Sequence, residues 1–142
     1  MALEDEFPNL RSLPYSIQSP RTRQYNCFAW AAGRNDIRWE PDRMQQFYWP
    51  PQAPRSFSIQ AFVEAYRTLG FAPCDDTSFE PGFEKIAFYA TPDLRVKHAA
   101  RQLSNGLWTS KLGDIEDIEH LLDGLSGAQY GAVVQILKRP CT

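Results

Sequence analysis

Cys27 stands in Tyr25-Asn26-Cys27-Phe28-Ala29-Trp30-Ala31-Ala32, and His98 follows much later in Val96-Lys97-His98-Ala99-Ala100-Arg101. A thiol and an imidazole can together perform nucleophilic acyl chemistry: the imidazole takes the thiol proton and the thiolate attacks a carbonyl carbon. The thiolate forms near neutral pH only where an imidazolium or the positive end of a helix lowers the cysteine pKa. A short helix starting at Asn26 or Cys27 supplies the second effect, and its first backbone N–H groups are natural donors to the oxyanion of a tetrahedral intermediate. The competing reading of Cys27 is an ordinary buried thiol between Tyr25 and Phe28. His98 favours chemistry because its small neighbours leave room for a thiol and a substrate; the alternative is a hydrogen-bonded strand histidine.

The elements that must position this pair are readable in outline. Residues 1–24 contain Pro8, Pro14 and Pro20 without sustained periodicity, which predicts an extended arm before a single domain over 25–142. The helix carrying Cys27 should end at Gly33 or Asn35. Residues 36–57 are rich in Pro and aromatics and predict an ordered irregular loop. Ser58 is a natural N-cap for Ile59 to Leu69, where Ile59, Phe62, Val63, Tyr66 and Leu69 follow helical spacing up to Gly70. After an acidic, turn-rich stretch from Pro73 to Gly82, strands are predicted over Lys85–Ala90, Val96–Leu103 and Leu107–Leu112, with Ser104-Asn105-Gly106 as a hairpin loop. Asp114 is placed to cap a helix through Leu122, with Ile115, Ile118, Leu122 and Leu125 on one face; Tyr130 to Leu137 reads as a last buried strand. The expected fold class is α+β, an N-terminal nucleophile helix packed on a mostly antiparallel sheet of about four strands.

Composition narrows the partners. The 142 residues are 43% hydrophobic and 13% aromatic, enough for one core, and the 15 basic and 17 acidic residues leave a formal charge of −2 with no basic patch for nucleic acid. No apolar run is long enough to span a bilayer, and Glu4, Asp5 and Glu6 replace the basic start of a secretory signal, so the expected location is the cytoplasm. Cys27, Cys74 and Cys141 have neither disulfide-framework nor metal-site spacing, and no cofactor is expected.

Tyr25-Asn26-Cys27 and His98 together resemble the papain-like superfamily, and within it the compact NlpC-like bacterial cysteine peptidases. The resemblance covers about residues 24–113, and the chain is also similar to small bacterial proteins with such Cys, His and Trp-Thr-Ser-Lys segments. It implies a papain-like fold, an amide-cleaving or acyl-transferring activity on a peptide or protein, and a third polar group about a dozen residues beyond the histidine, which falls on Ser110. Two positions depart from the pattern: Phe28-Ala29 replaces the Ser-Gly that usually follows the cysteine, and the third group is a serine. Register decides whether Ser110 can serve. With a three-residue loop, Leu103 pairs with Leu107 and Ser110 shares a face with His98; with a two-residue turn, Thr109 and Lys111 take that face.

Gln24 and Tyr25 are candidate oxyanion or substrate contacts, although the oxyanion glutamine of papain lies six residues before the cysteine, where this chain has Arg21. The other reading of Gln24 is a solvated loop residue. Trp49, with Trp39, Phe47 and Tyr48, either walls a substrate cleft or forms a satellite core. His120 is expected to be partly exposed on its helix, with a role near the site as the alternative, and Glu116, Asp117 and Glu119 to form that helix's solvated face. Two functions follow as expectations: a cysteine hydrolase or acyltransferase acting on an amide, and a non-catalytic binding or accessory protein that holds a partner protein.

Overall fold

The computed structural model describes residues 3–19, 24–112 and 116–141. The first part runs through α1 (Leu3–Glu6), a 3-10 turn (Pro8–Arg11), β1 (Tyr15–Ser19), α2 (Cys27–Ala31) and α3 (Ile59–Arg67). Then come β2 (Ala72–Cys74), β3 (Phe83–Ala90), β4 (Val96–Gln102), β5 (Trp108–Lys111), β6 (Asp117–His120), a second 3-10 turn (Leu122–Leu125) and β7 (Ala132–Pro140). All seven described strands join one antiparallel sheet in the order β1-β6-β5-β4-β3-β7-β2.

This sheet overturns the expected α+β, papain-like layout of a nucleophile helix on about four strands. Among the described residues only α3, with nine, exceeds seven residues of helix. Three segments account for the difference. Asp117–His120 was expected to be helical because Ile118 and Leu122 sit one turn apart; it is a strand because β1 and β5 flank it and take up its backbone hydrogen bonds. The predicted cap Asp114 and its neighbour Ile115 lie outside the described residues, as does Arg21. The expected extended arm contributes α1, a turn and the edge strand β1. The turn-rich stretch opens with the short edge strand β2, whose Pro73 an edge tolerates.

The elements predicted from periodicity and caps form. Ser58 Oγ accepts from the Ala61 N–H at 3.1 Å, and α3 buries Ala61, Phe62, Val63, Ala65 and Tyr66. In the β4–β5 hairpin, the Leu103 N–H donates to the Leu107 carbonyl at 2.7 Å and the Gly106 N–H to the Leu103 carbonyl at 3.0 Å, so the loop has three residues.

Side chains alternate across the sheet, and each face has its own core. On the first face Ile86, Phe88, Val96, Ala99 and Leu137 pack beneath α2, α3 and the aromatic loop. On the second face Ala87, Tyr89, Ala100, Trp108, Ile118 and Ile136 pack against Phe7, Leu10 and Leu125 from the N-terminal segment and the second 3-10 turn.

Candidate functional site

Asn26 sets the start of the cysteine helix. Its side-chain oxygen accepts from the Ala29 N–H at 3.2 Å and the Trp39 N–H at 3.0 Å, while its amide donates to the Trp39 carbonyl at 2.6 Å. Cys27 therefore opens α2, as the sequence predicts, and the helix is tied to the loop beyond it. The backbones of Ala99, Phe28 and Cys27 itself hydrogen-bond to the sulfur. Burial outweighs them: with Glu40 adding to it, burial pushes the Cys27 thiol up to about 12. At neutral pH this group is a thiol.

His98 does not lower that value, because it lies on the other side of the sheet. It pairs with Tyr89 of β3 on the second face, 5.4 Å between ring centroids, and stacks on Tyr130 at 4.1 Å and 5°. Cys27 belongs to the first face, with Ala99. Among the described residues neither His98 ring nitrogen has a hydrogen-bond partner, and His98 is fully buried. Burial first, and His120 second, hold its pKa well below the ordinary histidine value. The structure thus places Cys27 against the backbone next to His98, but not against its imidazole.

Ser110 shares the second face, as the three-residue loop requires, yet its Oγ meets His120 Nε2 at 2.7 Å rather than His98. The Leu121 carbonyl, 2.7 Å from His120 Nδ1, can only accept, so Nδ1 carries the proton and Nε2 accepts from the Ser110 hydroxyl. His120 is not the partly exposed helix residue the sequence predicts: it is a fully buried strand residue whose pKa burial lowers to about 4. Sequence reasoning missed the Ser110–His120 pair because a helix over 114–122 would have turned His120 away from β5.

The remaining candidates are dispersed. Gln24 is exposed, and Tyr25 is buried with its hydroxyl donating to Asp117 Oδ2 at 3.2 Å. Asp117 itself is buried, which corrects its placement on a solvated face. Trp49 packs in the first core, 4.9 Å from the Phe62 ring, and its Nε1 donates to the Pro54 carbonyl at 2.9 Å. Trp39 and Trp49 are therefore part of the first core itself rather than of a satellite cluster under the loop.

What opens onto Cys27 is a groove of two adjoining hollows, about 440 and 250 Å³, that share Phe57 and Arg95. The smaller ends on Asn26, Cys27 and Phe28 and is flanked by Arg38, Glu40, Lys97 and Tyr130. The larger adds Arg43, Arg55, Asp93 and Leu94. Phe57, Arg95 and Lys97 were not singled out from the sequence. The available signal was the pair of cations on either side of Val96, at the opening of the strand that carries His98.

A family model described as a domain of unknown function, DUF7689, matches residues 16–138, from β1 to β7. The chain belongs to the DUF7689 family. The DUF7689 match includes Cys27, His98, Ser110 and every residue lining the groove. No curated protein and no solved structure matches the chain. Among the described residues of this DUF7689 chain, no group of three or more His, Cys, Asp or Glu could hold a metal ion, and no helix is long and apolar enough to cross a membrane.

Proposed function

We propose that this DUF7689 chain is a non-catalytic binding protein that holds a segment of a peptide or protein partner in the groove ending at Cys27. The observation that carries the reading is an open groove whose thiol has no imidazole lining it: His98 is fully buried against Tyr89 and Tyr130, its ring nitrogens without a hydrogen-bond partner among the described residues. A general base must lie within hydrogen-bond reach of the proton it removes, directly or through one water. Cys27 packs in the first core while His98 packs against Tyr89 and stacks on Tyr130, the residue that also borders the Cys27 hollow.

One observation favours a second reading, thiol-based acyl chemistry on an amide: the backbones of three residues converge on the Cys27 sulfur at the end of the groove. In that reading His98 takes the thiol proton, the thiolate attacks the amide carbon, the C–N bond breaks as His98 returns the proton to the leaving amine, and water or a second amine then takes the acyl group and frees the thiol. It requires the imidazole to reach the thiol.

Iodoacetamide labelling against pH separates the two. The binding reading expects exposed Cys141 to label first near neutral pH and buried Cys27 last, with His98→Ala leaving that order unchanged. Selective Cys27 alkylation well below the ordinary thiol pKa, lost in His98→Ala, would instead make the chain an enzyme.

A further inference from the structure

We propose that the groove selects a carboxylate-bearing peptide segment, with Arg95 and Lys97 as its anchoring cations. This inference rests on the binding reading above and names its ligand chemistry.

The groove's charge opposes that of the chain. Arg38, Arg43, Arg55, Arg95 and Lys97 line its two hollows against Glu40 and Asp93, in a protein of formal charge −2. These cations differ in what they already do. Arg55 braces the loop, in an ion pair with Asp42 at 3.0 Å and donating to the Asp42 and Phe47 carbonyls at 2.8 and 3.0 Å. Arg43, Arg95 and Lys97, all exposed, enter no ion pair among the described residues. Of the two carboxylates, Asp93 accepts from the Thr91 hydroxyl and from the Arg95 backbone N–H at 3.4 Å, and it also feels the charge of Lys97, with which it forms no ion pair. Glu40 is partly buried, and that burial raises its pKa. Five cations against two carboxylates leave the groove with an excess of positive charge.

Arg95 is also held in place. Its guanidinium carbon lies 4.1 Å from the centre of the Phe57 ring, and the neighbouring backbone is fastened by the Val96 N–H donating to the Phe57 carbonyl at 2.8 Å. A guanidinium with one face on a ring keeps its N–H edge for a carboxylate, and little ordering remains to be done when the ligand arrives. Beside it Leu94 is 59% exposed with φ of 63°, a left-handed backbone that non-glycine residues adopt rarely and that clusters at functional turns. The turn puts an apolar side chain next to the anchoring arginine on the groove's rim. An extended peptide would satisfy both, with a carboxylate on Arg95 and Lys97 and an apolar residue over Leu94 and Phe57.

Fluorescence anisotropy with four labelled peptides of equal length tests this: acidic with an amidated end, neutral with a free C-terminal carboxylate, neutral amidated, and basic amidated. At least one of the two carboxylate-bearing peptides is expected to bind tenfold or more tightly than the neutral amidated one, and to weaken as salt is added. Which of the two binds identifies a side-chain or a terminal carboxylate as the source. The Arg95→Glu/Lys97→Glu variant should lose the preference, while the distant Arg67→Glu should keep it. Equal binding of all four peptides to the wild-type protein would overturn the inference and leave the binding reading standing, and this comparison needs no variant to fold. A salt-insensitive preference, or one that survives the folded double variant, would also overturn it. Binding of none of the peptides would remove the binding reading as well, whereas turnover of a bound acidic peptide would refute only the non-catalytic part of that reading and support the charge preference.

Discussion

His98 and His120 are the chain's two histidines, and folding encloses both as neutral rings on the second face of the sheet. Each takes up a proton more readily in the unfolded chain than in the folded one, so the folded state binds fewer protons below the ordinary histidine pKa. Their contribution is complete above about 6.5 and declines with acidification toward the folded value, about 4 for His120. Unfolding free energies from urea titrations between pH 7 and 4.5 should fall, by up to about 1.4 kcal/mol per pH unit for each histidine. His98→Phe, which keeps an aromatic ring against Tyr130, should show a shallower slope than the parent; an identical slope would mean that His98 is not a buried neutral ring. At this scale the sequence marked Cys27 at a helix start, because Asn26 is a strong local cap. It did not reveal the face of His98. Val96 pairs with Ala90 and His98 with Tyr89, so Lys97 is an extra residue in β4, and a bulge of this kind breaks the parity on which counting along a strand depends.

Among the elements, α3 was legible because its apolar residues repeat with the helical period behind a Ser cap, and nothing remote has to intervene. β6 was not: spacing that suits one helical face also suits a strand, and β1 from the other end of the chain decides between them. The five-residue α2 has too few turns to stand by itself, which gives Asn26 more weight than an ordinary cap. Asn26→Ala removes the cap and leaves the buried N–H and carbonyl of Trp39 without their side-chain partner. The expected loss is about 2 kcal/mol in chemical denaturation. A loss of only a few tenths would show that neither the cap nor the tie to the loop contributes appreciably.

The molecule as a whole is closed by its N-terminal segment. Phe7 and Leu10 complete the second core, β1 covers β6, and Tyr15 donates a hydrogen bond to Glu4. Deleting residues 1–19 should lower stability by about 3–6 kcal/mol from the two apolar side chains alone. It should also promote association, because β6 becomes an exposed edge. Thermal melts with light scattering check both effects, and an unchanged, monomeric melt would mean the segment is only an arm. Local sequence alone determined the helix start at Asn26 or Cys27, the cap at Ser58, the helix it opens, the three strands from residue 83 to 111 and their hairpin, because each depends on neighbours within a few residues. The tertiary structure alone decided the seven-stranded order, the docking of the N-terminus, the packing of Cys27 in the first core and of His98 against Tyr89 and Tyr130, and the meeting of Arg95 and Lys97 with Phe57 in one groove. Those features depend on which strands pair and which face each helix covers, and pairings between residues a hundred positions apart leave no periodicity in either segment.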